Sequence, residues 1–132
     1  MLRIRGNKYG AKRCRSNGIT FDSLIEHERY QQLCTLWRAN VISKLEVHTP
    51  FTLRVGAEKF IIKPDFVYLE GHKQVIEDVK GYMRGTAWSL FKIKWALLRE
   101  QYPEYELRIF TKDGYGDARS RRGKRKAGRI RG

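Results

Sequence analysis

The chain has little cysteine, no long apolar run and too few acidic residues to balance its basic ones. Its two cysteines, Cys14 and Cys34, stand apart, without a CxxC pair or a histidine at ligand spacing. This argues against a disulfide framework or a zinc site. No segment approaches the ~20 consecutive apolar residues that a membrane-spanning helix needs. The first residues also lack the apolar segment of a signal peptide, so we expect a cytoplasmic protein.

What the chain does have is positive charge concentrated at its two ends. Among 132 residues, 28 Lys and Arg stand against 14 Asp and Glu, a net charge of +14. Residues 1–18 hold six basic and no acidic residues, and residues 112–132 hold nine basic and two acidic ones. A nearly neutral body, residues 19–111, therefore carries two basic arms. We expect them to bind a polyanion, nucleic acid above all, although a purely solubilising role is the simpler alternative. A membrane surface fits less well, because neither arm has the apolar face of an interfacial helix.

The basic arms supply most of the candidate phosphate contacts. Because they are rich in Gly, Arg and Lys, we expect them to lack regular structure until a partner binds. The candidate DNA-binding residues of the arms are Arg3, Arg5, Lys8, Lys12, Arg13, Arg15, Arg121, Arg122, Lys124, Arg125 and Lys126.

The body alternates between helical and strand-like patterns. Ser23 begins a helix that we expect to run to about Asn40. Short β-rich runs follow between residues 44 and 80, separated by Pro, Gly and charged turn residues. A second helix is predicted from Trp88 to Tyr102, before Pro103, and a last strand reads ELRIF. This order predicts a single α/β domain, a mixed central sheet flanked by helices.

Two short motifs in the strand region carry the chemistry. Pro64-Asp65 precedes one strand run, and Asp78 and Lys80 lie in the next, with the turn EGHK between them. A hairpin would bring Asp65 close to Asp78, and strand alternation puts Asp78 and Lys80 on one face and Glu77 on the other. We therefore expect neutralisation of Glu77 to be nearly silent. Two carboxylates and an ammonium suit phosphodiester hydrolysis with a hard cation such as Mg²⁺. The plain alternative is a surface ion pair.

A third carboxylate favours the catalytic interpretation. At helical spacing Glu26 shares a face with Tyr30, Leu33 and Trp37, the side expected to pack on the sheet. Glu28 shares a face with polar and small residues, so we expect it in solvent. A carboxylate that faces a core needs a partner, and a metal ion is a good one.

The second helix carries a basic residue within its apolar arc. Lys94 falls there, whether to contact the scissile phosphate or only to extend its stem over apolar surface. The arc is formed by Leu90, Phe91, Ile93, Trp95, Leu97, Leu98 and Tyr102.

Together these segments resemble the PD-(D/E)XK nucleases. The resemblance rests on Ser-x-x-Glu opening a helix, Pro-Asp-Phe on a strand and Asp-x-Lys-Gly on the next, and it continues through LLREQYPE and LRIF. It covers about residues 20–111 and is strongest to the phage endonuclease I type of Holliday-junction resolvase. The closest resolvases tend to have Glu at the position of Asp78.

The resemblance implies a restriction-endonuclease-like fold and assigns catalysis to Glu26, Asp65, Asp78 and Lys80. It also implies that the three carboxylates bind Mg²⁺ or Mn²⁺. It further implies a homodimer that cuts four-way DNA junctions, of phage or mobile-element origin. By the same resemblance, an extended bridge at residues 41–50 would let protomers exchange the first helix. An ordinary edge strand is the alternative.

Two other functions stay open at this point. One is the same chemistry on another target, as in a nuclease that cleaves DNA ends during transposition. The other is a non-catalytic DNA-binding protein with a nuclease-like fold.

Overall fold

The computed structural model describes residues 3–6, 12–81, 83–112 and 114–115. Within them two helices and several strands confirm the predicted mixed α/β class. The elements are β1 (Arg3–Gly6), β2 (Lys12–Ser16), β3 (Ile19–Phe21), α1 (Leu24–Arg38), β4 (Ser43–Val47), β5 (Phe51–Val55), β6 (Glu58–Ile62), β7 (Phe66–Glu70), β8 (Lys73–Val79), α2 (Gly85–Gln101), β9 (Tyr105–Thr111) and β10 (Gly114–Tyr115).

The central sheet has the strand order β10-β9-β8-β7-β4. β8 and β9 run parallel, and the other neighbouring pairs run antiparallel. The predicted hairpin is confirmed: β7 pairs with β8, and its turn uses Gly71 at a φ of 64°, a backbone region that glycine enters without steric cost. This hairpin forms the centre of the domain.

Apolar side chains cover both faces of the sheet, as strand alternation requires. α1 packs on one face, where Leu33, Phe66 and Val75 are fully buried. α2 and the β5–β6 hairpin cover the other face, with Ile76 and Leu98 at the centre of that core. Side chains on the two faces of β8 therefore pack in different cores, one under α1 and the other under α2.

α1 begins where the sequence predicts. The Ser23 hydroxyl accepts a hydrogen bond from the Glu26 backbone N–H at 3.2 Å, which caps the first turn. The helix ends at Arg38, slightly before the predicted end. Trp37, expected in the core, is 45% exposed, because the last turn of α1 faces an open groove beside Leu45 of the edge strand β4.

α2 begins at Gly85, earlier than predicted, and buries a narrower stripe than its apolar arc suggests. Trp88, Trp95 and Leu98 are buried, whereas Leu90 is 50% and Ile93 59% exposed. The helix contacts the sheet along this one stripe, so the flanking apolar residues remain in solvent.

The segment at residues 41–50 forms an edge strand within this chain. It contains β4, which pairs antiparallel with β7 of the same chain and forms an edge of the central sheet. Ile42 is buried in the α1 core, and Leu45 and Val47 pack against that core. Within the single chain these apolar contacts hold the segment on its own domain, as the edge-strand alternative expects, and exchange of α1 between protomers stays a prediction.

The N-terminal arm also has more regular structure than predicted. β1, β2 and β3 form a three-stranded antiparallel sheet, because the backbone of β3 offers a pairing edge to the preceding residues. Most of the C-terminal arm lies outside the described residues. Neither helix among the described residues is long and apolar enough to cross a membrane.

Candidate active site

A cleft of about 460 Å³ lies where the β7–β8 hairpin meets the first turn of α1 and the first three turns of α2. Glu26, Asp65, Asp78 and Lys80 all line it, together with Lys94 of α2. The structure thus brings all four predicted catalytic residues to one place from three separate segments of the chain.

Asp65 and Asp78 are held side by side by backbone hydrogen bonds. Asp65 directly precedes β7, and its N–H donates to Asp78 Oδ1 at 3.1 Å. The Val79 N–H donates in turn to Asp65 Oδ2 at 2.8 Å. Because these bonds lie just beyond the last residue pair of the hairpin, they hold the two carboxylates next to each other in the cleft.

Lys80, directly after β8, is oriented by one contact to β8 and one to α2. Its Nζ lies 2.8 Å from Asp78 Oδ2 and 3.9 Å from the centroid of the Phe91 ring on α2. An ammonium over an aromatic face is attracted by the ring quadrupole. The lysine is therefore held between the sheet and α2, with its charge at the carboxylates.

Glu26 is the third carboxylate, and it is 5% exposed. The Asp22 N–H donates to its Oε1 at 3.3 Å, and the Nε2 of His48 lies 2.9 Å from its Oε2. Glu28, two residues further along α1, is exposed, as the helical spacing predicts. The first turn of α1 thus directs one acidic side chain into the site and leaves the other in solvent.

His48 is a site residue that the sequence analysis missed. It follows β4, and its Nε2 is 4.0 Å from Asp65 Oδ1 as well as close to Glu26. No local motif marks it, since it is a single histidine between two short strands. Its place in the site depends on the pairing of β4 with β7.

Lys63 was also missed as a contributor, although it adjoins the motif. It lines the cleft and is exposed. Its place two residues before Asp65, in the same Lys63-Pro64-Asp65 segment, is the signal that could have found it.

Asp65 is buried beside two other carboxylates, which disturbs its ionisation. Burial, then the neighbouring Asp78 and Glu26 carboxylates, raise the pKa of Asp65 from 3.8 to about 10. A divalent cation would remove this repulsion. In the described part of the chain, ligand atoms of Glu26, His48 and Asp65 lie within 4.8 Å of one another, and this donor set fits a metal ion.

Glu77 points away from the cleft as predicted, but it is not a spectator. It is fully buried and accepts two hydrogen bonds from Arg29 of α1, at 2.6 Å from Nε and 3.1 Å from Nη2. The Tyr68 hydroxyl donates to it at 2.7 Å. Neutralisation of Glu77, expected from the strand period to be nearly silent, should instead destabilise the fold, because it weakens a buried ion pair with Arg29.

The candidate DNA-binding residues of the arms are placed only in part. Arg3, Arg5, Lys12, Arg13 and Arg15 lie on strands β1 and β2. The remaining arm residues fall outside the described residues; they are Lys8, Arg121, Arg122, Lys124, Arg125 and Lys126.

Comparison with known proteins identifies a family but no activity. Residues 6–115 match the model of a family described as "Protein of unknown function (DUF1064)". No curated protein matches the chain. The match spans the whole central sheet and both helices, so the cleft belongs to the part of the chain that the family shares.

Proposed function

We propose that this chain, which belongs to the family described as "Protein of unknown function (DUF1064)", is a metal-dependent endonuclease acting on branched DNA. The observation that carries the proposal is the convergence of Glu26, Asp65, Asp78 and Lys80 in one cleft. Three carboxylates beside one ammonium are the groups that hydrolysis of a phosphodiester needs.

The carboxylates of Glu26, Asp65 and Asp78 would hold Mg²⁺ or Mn²⁺. When bound, such an ion polarises the scissile phosphate and lowers the pKa of a bound water. Each carboxylate oxygen has two lone pairs, so the hydrogen bonds that Asp65 and Asp78 accept leave lone pairs for ligation.

Lys80 would act beside the carboxylates. With its Nζ 2.8 Å from Asp78 Oδ2, it can donate to the attacking water or stabilise the pentacovalent oxyanion. Phe91 and Asp78 restrict its rotamers in advance, so less conformational entropy is lost when the substrate binds.

Binding of DNA would rest on basic residues around and beyond the cleft. Lys63 and Lys94 line it and suit the phosphates flanking the scissile bond. The two arms add most of the net charge of +14, which favours binding along a polyanion outside the cleft. The proposed preference for four-way junctions rests on the resemblance to the junction resolvases. The proposed homodimer with two active sites rests on the same resemblance.

A single assay separates this function from its alternatives. Purified protein with Mg²⁺ is incubated with a labelled four-way junction and, in parallel, with linear duplexes of the same arms. We expect cleavage of the junction alone, and none by the Asp65→Asn variant, which should still bind the junction because its basic residues are intact. Equal cleavage of both substrates would remove the structure preference. Junction binding without cleavage by the wild type would leave a non-catalytic DNA-binding protein.

A further inference from the structure

His48 is the one nitrogen donor at the candidate metal site in the part of the chain that the structure describes. Its backbone N–H donates to the Asp65 carbonyl oxygen at 3.1 Å, which ties the end of β4 to the start of β7. The backbone of His48 has a φ of 59°, which is unusual for a residue other than glycine. The backbone contact between His48 and Asp65 therefore helps to place the imidazole beside Glu26.

The ring nitrogen lies where a third ligand would lie. Its Nε2 is 2.9 Å from Glu26 Oε2 and 4.0 Å from Asp65 Oδ1. In an octahedral site with bonds of ~2.1 Å, neighbouring ligand atoms are ~3 Å apart and opposite ones ~4.2 Å apart. The two distances from the His48 nitrogen are close to these values, and ligand atoms of all three residues lie within 4.8 Å of one another, so one ion can contact all of them.

We propose that His48 is a direct metal ligand, and that with Glu26 and Asp65 it forms a mixed nitrogen and oxygen site that prefers a first-row transition ion such as Mn²⁺ over Mg²⁺. This rests on the proposed function and deepens it by naming the class of ion. Mg²⁺ favours oxygen ligands, whereas imidazole binds first-row transition ions. An all-carboxylate site would lack this preference.

The alternative role for His48 is a hydrogen bond that only positions Glu26. In that role the imidazole would touch no metal, and its replacement would change Mg²⁺ and Mn²⁺ binding equally. A ligand role instead puts histidine nitrogen in the coordination shell, which pulsed electron paramagnetic resonance detects as a ¹⁴N coupling to bound Mn²⁺.

The experiment uses the full chain with Mn²⁺ and no DNA. We expect wild-type protein to show a ¹⁴N coupling that changes to a ¹⁵N pattern when the histidines are labelled with ¹⁵N. His48→Gln should lose the coupling and bind Mn²⁺ at least ~10-fold more weakly, with a smaller change in Mg²⁺ affinity measured by competition. The matched control is His72→Gln, in the exposed turn between β7 and β8, which should behave as wild type.

The results separate this inference from the proposed function. No histidine coupling in the wild type, a coupling that persists in His48→Gln, or equal loss of Mn²⁺ and Mg²⁺ affinity would overturn the ligand role. Because the labelled wild type is informative by itself, the test does not depend on the variant folding. Failure of the proposed metal site looks different: Mn²⁺ would not bind, or would bind equally well to Asp65→Asn.

Discussion

Asp65 lies where three carboxylates meet, and its ionisation links metal binding to pH. Its pKa in the metal-free protein is raised from 3.8 to about 10, first by burial and then by Asp78 and Glu26. In the unfolded chain the carboxyl ionises at its ordinary pKa of ~3.9. The folded state therefore holds a proton that the unfolded state has lost, and stability falls as pH rises from ~4 towards ~10.

A bound divalent ion replaces that proton, so metal should stabilise the protein more at high pH. We expect the rise in Tm on adding Mg²⁺ to be larger at pH 9 than at pH 6, with protons released on binding. Differential scanning fluorimetry and calorimetry in two buffers measure these effects. The Asp65→Asn variant should lose both the larger Tm rise at pH 9 and the release of protons on metal binding. A metal-induced Tm shift that is equal at the two pH values would show that Asp65 is not the group displaced.

At the scale of the element, α1 offers a matched pair of acidic residues. Glu26 is buried in the cleft, and Glu28 is exposed two residues later. Glu26→Gln should reduce kcat for junction cleavage by roughly 10²-fold or more, whereas Glu28→Gln should leave it within a few-fold of wild type. Circular dichroism of both variants is the control that shows whether they fold. Equal losses would mean that the charge of α1, and not the position of Glu26, matters.

The buried pair of Arg29 and Glu77 ties α1 to β8, one residue from Asp78. Arg29 Cζ also lies 4.1 Å from the centroid of the Phe110 ring, so the guanidinium is enclosed by the protein. Breaking such a pair from one side costs ~3–5 kcal/mol, because the remaining charge stays buried. Glu77→Gln and Arg29→Met should each destabilise the fold by about that much.

The double variant Arg29→Met with Glu77→Gln tests whether the cost comes from the pair. We expect its free energy of unfolding, measured with urea, to lie well above the value that adding the two single losses gives. Strict additivity of the two losses would show that each residue acts independently of the other.

At the scale of the whole molecule, we expect the basic arms to contribute most of the DNA binding and the body to contribute the cleavage. Deleting residues 1–12 and 119–132 removes twelve of the 28 basic residues. The truncated protein should bind junctions more weakly, and each lost phosphate contact should reduce the slope of log K against log salt by ~0.9. Binding is measured by fluorescence anisotropy over a salt series.

The same truncation should leave the body folded, because β3 and the central sheet remain. β1 is lost, and β2 keeps most of its residues against β3. An unchanged salt slope would exclude the arms as binding elements. A collapse of Tm would show that the N-terminal sheet supports the core.

The candidate site is built from residues of one chain. A mixture of two inactive variants can therefore test whether protomers exchange α1. Glu26 of α1 lies beside Asp65 of the same chain because β4 pairs with β7. Refolded heterodimers of Glu26→Gln and Asp65→Asn would then carry one damaged residue in each site. We expect no recovery of junction nicking, with heterodimer formation verified by native mass spectrometry. Recovered nicking would instead establish that protomers exchange α1.

Much of this site was accessible from the sequence because its signals are local. The two-residue period of strands assigned Asp78 and Lys80 to one face of β8 and Glu77 to the other, and the period of α1 separated Glu26 from Glu28. These periods follow from backbone geometry, so they hold without knowledge of the neighbours. The α/β class and the hairpin that brings Asp65 close to Asp78 follow from them.

Only the tertiary structure decided the contacts between distant segments. His48 and Glu26 are 22 residues apart, and Arg29 and Glu77 are 48 apart. No period in the chain encodes such pairs, because they depend on where β4 joins the sheet and how α1 sits on it. The same packing leaves Trp37 and Ile93 in solvent despite their apolar spacing. The sequence by itself determined which faces each element has, and the packing of those elements determined which side chains meet.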